Sequence, residues 1–262
     1  MRNATKSSWI ILRRPALLWS SFGAIVVFAG IMIFATFMTA SQPGGSRLTY
    51  PPLVLADLAS ASTPELLIGR PIMVTGTIAM LIAILHVATM YSSGSIRIQL
   101  IRQPHRLIWL AGTWITVVLF SIALTLVAII VSLIVGWFCA AAYGVDTTAW
   151  TNPGVVQATL LAAGNLLLGM VAFALAGTAL AFWLRSAIVA VGVGLIYTLF
   201  EATLTAMAPP LQGILPSSAF TNIATSGTYG GNYFLSLVAA SVILTGIVTA
   251  TAFSFSQRDI LD

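Results

Sequence analysis

Six long apolar runs, separated by short polar stretches, dominate the pattern of hydrophobic and polar positions along the chain. They cover about residues 16–40, 71–91, 107–138, 155–184, 186–207 and 233–255. A helix of about 20 apolar residues crosses a hydrocarbon core of about 30 Å, so each run is long enough to span a membrane. The pattern therefore predicts an all-α integral membrane protein, with six transmembrane helices in one transmembrane domain that covers residues 1–262.

The composition excludes a soluble globular protein. Hydrophobic residues make up 59% of the chain and charged residues 6%, whereas soluble domains carry about 25% charged residues. The first apolar run follows basic residues, but it is longer than the apolar region of a signal peptide, and we expect an uncleaved span. The sole cysteine, Cys139, excludes an intrachain disulfide and is expected to be a buried, inert thiol.

The basic residues predict the orientation of the chain. If the N-terminus is cytoplasmic, the outer segments contain only Arg47 and Arg70. The inner segments then contain nine basic residues: Arg2, Lys6, Arg13, Arg14, Arg97, Arg102, Arg106, Arg185 and Arg258. Positive charge is enriched on the cytoplasmic side of membrane proteins. Both termini are therefore predicted to be cytoplasmic.

The stretch from Ser92 to Leu107 concentrates positive charge between the second and third spans. Gly94 allows a turn and Pro104 ends the segment, so we expect a short helix from Ile96 to Gln103, with nearby serines as caps. Its apolar residues do not form one stripe. Such a helix suits the groove of a partner protein, with its arginines facing carboxylates. The alternative is a loop that serves only as a topological anchor.

This stretch resembles the loop after the second span of ABC type-2 transporter permeases. The matching positions are Gly94, Ser95, Ile96, Arg97, Leu100, Ile101, Pro104 and Arg106. Four further stretches resemble the same family in the same order. They correspond to the amphipathic helix before span one, the turn between spans four and five, the outer hairpin before span six and the C-terminal tail: residues 9–15, 182–191, 214–223 and 255–260.

The resemblance implies the permease subunit of an ATP-driven exporter. It adds to the six spans an N-terminal amphipathic helix within residues 1–15, a cytoplasmic coupling helix between spans two and three, and an outer re-entrant hairpin between spans five and six. It assigns coupling to the ATPase to Gly94, Ser95, Ile96, Arg97, Leu100, Ile101, Arg102, Pro104 and Arg106. It assigns further contacts of the N-terminal arm to Trp9, Arg13 and Arg14.

The implied partners are two copies of an ABC ATPase subunit, a second permease copy or a homologous permease, and the lipid bilayer, with no nucleic acid. ATP and Mg are expected on the partner subunit, and the implied location is the inner (plasma) membrane. The only lysine, Lys6, lies outside any glycine-rich loop, so this chain has no phosphate-binding P-loop of its own. We expect no enzyme activity, cofactor or metal site in this chain.

Candidates for a substrate path or gate lie near the outer end of the bundle. Glu201 is an ionisable residue within the fifth span, and such residues usually face a bundle interior or a cavity. It is either a gate residue or a structural carboxyl that holds the outer hairpin or a subunit interface. Pro216 and Phe220, in the hairpin, complete the gate candidates. His86 and Asn165 are weaker candidates within spans two and four.

Two further patterns concern packing. Small residues that permit close helix contact occur in spans four and five: Gly169, Ala172, Ala176, Gly177, Ala179, Gly192 and Gly194. They indicate packing within the chain or against a partner. In the first outer segment we expect a short interfacial helix around residues 53–60 and a turn at Pro64.

The apolar span faces favour a hydrophobic or amphipathic substrate. Two alternative functions remain open at this point. One is a non-transporting membrane protein, such as a scaffold or an immunity protein. The other is an ion-driven secondary transporter, although the internal repeats and broken helices typical of that class are not evident in the sequence.

Overall fold

A computed structural model describes residues 15–42, 53–102, 105–228 and 231–257 of the chain. This described part is almost entirely helical and contains no strand. Its α-helices are α1 (Pro15–Ala40), α2 (Thr63–Gly69), α3 (Ile72–Ser92), α4 (Ser95–Arg102), α5 (Arg106–Tyr143), α6 (Pro153–Leu184), α7 (Ala187–Met207), α8 (Pro216–Ala224) and α9 (Tyr233–Gln257). Three short 3₁₀ helices lie at Asp57–Ala59, Thr148–Thr151 and Pro209–Leu211.

Six helical segments within the described residues are long and apolar enough to cross a membrane, which confirms the predicted spans. They correspond to α1, α2 with α3, α5, α6, α7 and α9. The chain is therefore a multi-pass membrane protein. At 38 residues α5 is about 57 Å long, so it extends well beyond a hydrocarbon core of about 30 Å.

The helices α3 and α6 form the centre of the bundle. In the most apolar 18-residue stretch of each of these two spans, 61% of the residues are buried. The corresponding share is 17% in α7 and in α9. Glycines permit this close approach. A Cβ on Gly76 would lie 2.6 Å from the Phe173 ring, and a Cβ on Gly177 would overlap the carbonyl oxygen of Met80. The outer helices α7 and α9 then pack on this central pair.

Aromatic side chains join the spans at one end of the bundle, where α3, α6 and α9 finish and α5 and α7 begin. We call it the basic end, since Arg106 and Arg185 lie there. Trp109 stacks on Phe255, with ring centroids 5.6 Å apart. Phe182 contacts both rings edge-on and also meets Tyr91. Four spans therefore meet in one aromatic cluster, formed by Tyr91, Trp109, Phe182 and Phe255.

A second apolar cluster lies at the opposite end of the bundle. It contains residues from the ends of α1 and α5, from α2 and from the segment that precedes α2. It also includes Cys139, whose thiol is buried as predicted. Trp150 closes this cluster, since its indole N–H donates to the Leu58 carbonyl at 3.0 Å. Beside it Asp146 accepts the Thr148 N–H, which lowers the pKa of the Asp146 carboxyl.

Two expectations for the first outer segment were wrong. In place of a helix over residues 53–60 there is a single 3₁₀ turn, Asp57–Ala59, whose Asp57 carboxylate accepts the Val54 N–H. In place of a turn at Pro64, a helix begins at Thr63 with Pro64 in its first turn. A proline is tolerated there because first-turn N–H groups have no helical acceptor.

The segment between α7 and α9 contains a buried helix. Residues 208–228 form the 3₁₀ turn Pro209–Leu211 and then α8, which packs against α6 and α9. Gly169 permits this contact, since a Cβ on it would lie 2.9 Å from the Phe220 carbonyl oxygen. The predicted small residues therefore serve packing within the chain at Gly169 and Gly177, whereas a Cβ on Gly192 would meet no atom within 4 Å.

We predict that Gly177→Ala destabilises the bundle, because the added methyl group overlaps a backbone carbonyl of α3. Overpacking of this kind costs about 1–3 kcal/mol. Gly164→Ala, on the same helix but with no atom within 4 Å of the added group, is the matched control. It should be neutral or stabilising by up to about 1 kcal/mol. Unfolding midpoints in mixed micelles measure the difference, and equal midpoints would contradict the close packing of α3 on α6.

Candidate functional site

The short helix α4 is fastened to the spans on both sides of it. Gly94, with φ +63°, turns the chain sharply between α3 and α4, a conformation that favours glycine. Ile96 then inserts into the main apolar core and is 2% exposed. The predicted helix from Ile96 to Gln103 is thus present with slightly shifted bounds, Ser95–Arg102.

Hydrogen bonds add to this attachment. The indole N–H of Trp109, at the start of α5, donates to the Gln99 side-chain oxygen at 2.7 Å. The Ser95 hydroxyl donates to the Met90 carbonyl, in the last turn of α3, at 3.2 Å. Ser93 likewise donates to a carbonyl of α3. These two serines therefore bond to carbonyl groups at the end of α3. From the sequence we expected serines here to cap the start of α4.

Two isoleucines of α4 face outward. Ile98 is 57% exposed and Ile101 is 80% exposed, whereas Ile96 points into the core. The apolar residues of α4 therefore divide between two faces, which explains why the sequence shows no single stripe.

The remaining predicted coupling residues are described only in part. Arg106 is the first residue of α5 and is partly buried. The side chains of Arg97, Leu100 and Arg102, together with Pro104, lie outside the described residues, and so do Trp9, Arg13 and Arg14.

At the opposite end of the bundle, Glu201 of α7 meets the N-terminus of α8. Its carboxylate is 2% exposed and accepts the backbone N–H groups of Ser217 at 3.0 Å and of Ser218 at 2.5 Å. The first N–H groups of a helix have no helical acceptor, and the helix dipole favours negative charge at this position. Glu201 is thus hydrogen-bonded, which favours the structural alternative; a role in gating stays a prediction.

Neighbouring groups hold this cap in place. The Ser218 hydroxyl donates to the Leu215 carbonyl at 3.0 Å and accepts the Gly213 N–H at 3.2 Å. Tyr197 lies one turn before Glu201 on α7, near the carboxylate. The hydrogen bonds of Ser218 therefore stabilise the turn between α7 and α8, and those of Glu201 stabilise the N-terminus of α8.

Two asparagines fasten the far end of α8. Asn165 of α6 donates to the Ser226 hydroxyl at 3.0 Å and accepts the Tyr233 hydroxyl at 2.8 Å. Asn222 donates to the hydroxyl of Ser236 on α9 at 2.7 Å. Sequence reasoning found Asn165, since it is polar within an apolar run, but it missed Asn222.

The gate candidates Pro216 and Phe220 line one apolar cavity of about 180 Å³ between α7 and α9. Phe220 also packs edge-on against Phe173 of α6, with ring centroids 5.4 Å apart. Glu201 binds the residue next to Pro216, so the structure brings all three predicted gate residues to one place. We call this cavity the apolar groove.

His86 is fully buried in α3 beside a small cavity that also borders Phe120 and Ser121 of α5. Neither of its ring nitrogens has a hydrogen-bond partner among the described residues. A buried polar group without a partner is costly. Groups of three or more potential metal ligands are absent from the described part of the chain.

The chain belongs to the DUF2705 family, described as protein of unknown function, whose family model matches residues 72–261. The matched region begins with α3 and includes α4, Glu201 and the apolar groove. The chain matches no curated protein. It also matches no solved structure.

We predict that Glu201→Gln loosens the start of α8. A glutamine side chain offers one acceptor oxygen where the carboxylate offers two, so one of the two serine N–H groups loses its bond, at a cost of about 1–3 kcal/mol. Hydrogen exchange at Ser217 and Ser218 should accelerate. Glu65→Gln, which neutralises a partly exposed carboxylate in the first turn of α2, is the control. Unchanged exchange in the Glu201 variant would show that the carboxylate does not hold α8.

Proposed function

We propose that this DUF2705 member is the permease subunit of an ATP-driven exporter and works with a separate ATPase subunit. The observation that carries the proposal is the construction of α4. Its inner face is anchored in the bundle by Ile96 and Gln99, while Ile98 and Ile101 face outward. Exposed isoleucines on a firmly attached helix are costly in water and suit the groove of a partner protein.

The attachment of α4 gives a physical route for coupling. A displacement of α4 by a partner acts on α3 through Gly94 and on α5 through the bond between Gln99 and Trp109. Trp109 in turn packs against Phe182 of α6 and Phe255 of α9. Rigid-body motion of an attached element is a common way to move packed helices. The basic-end aromatic cluster would therefore distribute a movement of α4 among four spans.

The proposed orientation places the basic end in the cytoplasm. Support comes from the excess of arginine and lysine on that side. In this arrangement α4 is the coupling helix, two ATPase copies carry ATP and Mg, and a second permease copy or a homologous permease completes the complex in the inner membrane. The residues that precede α1 would form the amphipathic arm.

On the outer side, we propose that residues 208–232 form a re-entrant hairpin that gates the substrate path. The support is the position of α8, which is buried between α6 and α9 and held by Glu201, Asn165 and Asn222. Non-helical backbone at membrane depth requires such protein cover. The groove beside Pro216 and Phe220 is apolar, which favours a hydrophobic or amphipathic substrate.

A test of the proposed ATPase partner uses the exposed face of α4. We expect the tagged chain, extracted from native membranes in mild detergent, to retain a nucleotide-binding subunit in stoichiometric amount by mass spectrometry. Ile101→Asp should reduce recovery of that subunit about tenfold, equivalent to about 1.4 kcal/mol. The double charge reversal Arg97→Glu with Arg102→Glu should do the same.

Ile101→Leu is the matched control and should retain the partner, because it preserves the apolar contact. All variants should insert at the level of the unmodified chain, since Ile101 is exposed. Recovery of the unmodified chain alone, or equal recovery of the partner with Ile101→Asp, would count against the proposal and favour a scaffold or immunity protein.

One observation favours a second candidate, an ion-driven transporter. The buried His86 is the kind of intramembrane ionisable group found in proton pathways. Under this alternative, transport into vesicles would stop on adding a protonophore and in a His86→Asn variant, with ATP absent throughout. The exporter proposal expects transport to require ATP and the ATPase subunit, and to continue with the protonophore present.

A further inference from the structure

A cavity of about 490 Å³ opens at the basic end, among the ends of α3, α6, α7 and α9, and Gly94 and Ile96, at the start of α4, also line it. Its wall is mixed in character. Hydroxyl groups come from Tyr91, Ser92 and Ser254, and an aromatic surface comes from Trp183 and Phe255. Because four helices end here, the cavity lies where spans meet the headgroup layer of a bilayer.

The charge of this cavity is positive. Arg185 lines it and is exposed, and the chain at Arg185 has φ +53°, a conformation in which glycine is the usual residue after a helix. Ala187 and Ile188, the first residues of α7, also line it, so the positive end of the α7 dipole adds to the arginine. No carboxylate lines this cavity among the residues that the structure describes. The cavity therefore suits an anion.

The cavity adjoins the apolar groove. Trp183 lines both of them. Beyond Trp183 the groove follows α6 at Ala176 and Leu180, with Val193 of α7 on one side and Ile247 of α9 on the other. The two flanking helices have the lowest buried share of the six candidate spans, so the groove lies on the least covered side of the bundle.

The dimensions fit the chains of one leaflet. From Ala187, beside the cavity, to Thr198, in the groove, α7 rises by about 17 Å. This is slightly more than half of a hydrocarbon core of about 30 Å. A polar, cationic pocket at headgroup depth thus lies next to an apolar groove that is as deep as one leaflet.

We infer that the cavity and the groove together bind an anionic glycerophospholipid, with its phosphate at Arg185 and an acyl chain between α7 and α9. Basic pockets between membrane helices bind anionic headgroups in this way, and charge complementarity distinguishes the site from general lipid contact. The inference goes beyond the proposed function, because the site is formed by this chain alone and needs no ATPase.

The test is native mass spectrometry of the purified full chain, exchanged between phosphatidylglycerol and phosphatidylcholine with matched acyl chains. We expect about tenfold preferential retention of phosphatidylglycerol. Soluble glycerol phosphate should not displace it, since the groove contributes to binding. Displacement by glycerol phosphate would identify a site for free phosphate compounds, and equal retention of the two lipids would overturn the inference.

Variants locate the site. Arg185→Gln should abolish the preference and Arg185→Lys should preserve most of it. Arg106→Gln, which removes the same charge at the same end at a residue that does not line the cavity, should keep the preference for phosphatidylglycerol.

Ala176→Phe should fill the groove and lower lipid retention, whereas Leu119→Phe, on an exposed position of α5, should not. Equal effects of Arg185→Gln and Arg106→Gln would show a general charge effect and contradict the inference, as would occupation of the cavity by a co-purifying protein.

Discussion

The close contact of α3 with α6 is the constraint on which the rest of the structure depends. Gly76 and Gly177 bring the two backbones together so tightly that a methyl group at Gly177 would overlap the Met80 carbonyl. In a lipid environment, where apolar surface alone gives helices little reason to associate, this kind of packing drives assembly. This central pair contributes Tyr91 and Phe182 to the aromatic cluster at the basic end. At the opposite end, α8 packs against it.

The two ends of the bundle are held together by different kinds of interaction. At the basic end, large aromatic rings join four spans to one another, and one indole hydrogen bond joins α4 to α5. At the opposite end, short polar side chains and the Glu201 carboxylate hold α8. Between the two ends, the groove beside α7 and α9 extends from Trp183, which also lines the cavity at Arg185, to Pro216. A substrate path and a lipid site would therefore share one surface.

The spans could be predicted from sequence because membrane thickness fixes the length of an apolar run, independently of tertiary contacts. The cap on α8 could not. Glu201 and Ser218 are 17 positions apart, and only the packed structure shows that the carboxylate meets a helix N-terminus. The hydrogen bond between Gln99 and Trp109 could not be predicted from the sequence for the same reason. Pro64 was misinterpreted as a turn because proline fits turns and first helical turns alike, and the choice depended on α2 packing onto α5 and α6.

The central claim is that α4 contacts a separate nucleotide-binding protein in the cytoplasm. Photo-crosslinking from an Ile101→Cys variant in native membranes tests it most directly, since the only natural cysteine, Cys139, is buried. We expect an adduct with an ATPase subunit, and we expect no labelling of the introduced thiol by membrane-impermeant reagents added outside. Labelling from outside, or no adduct at all from a position that is 80% exposed in the isolated chain, would contradict it.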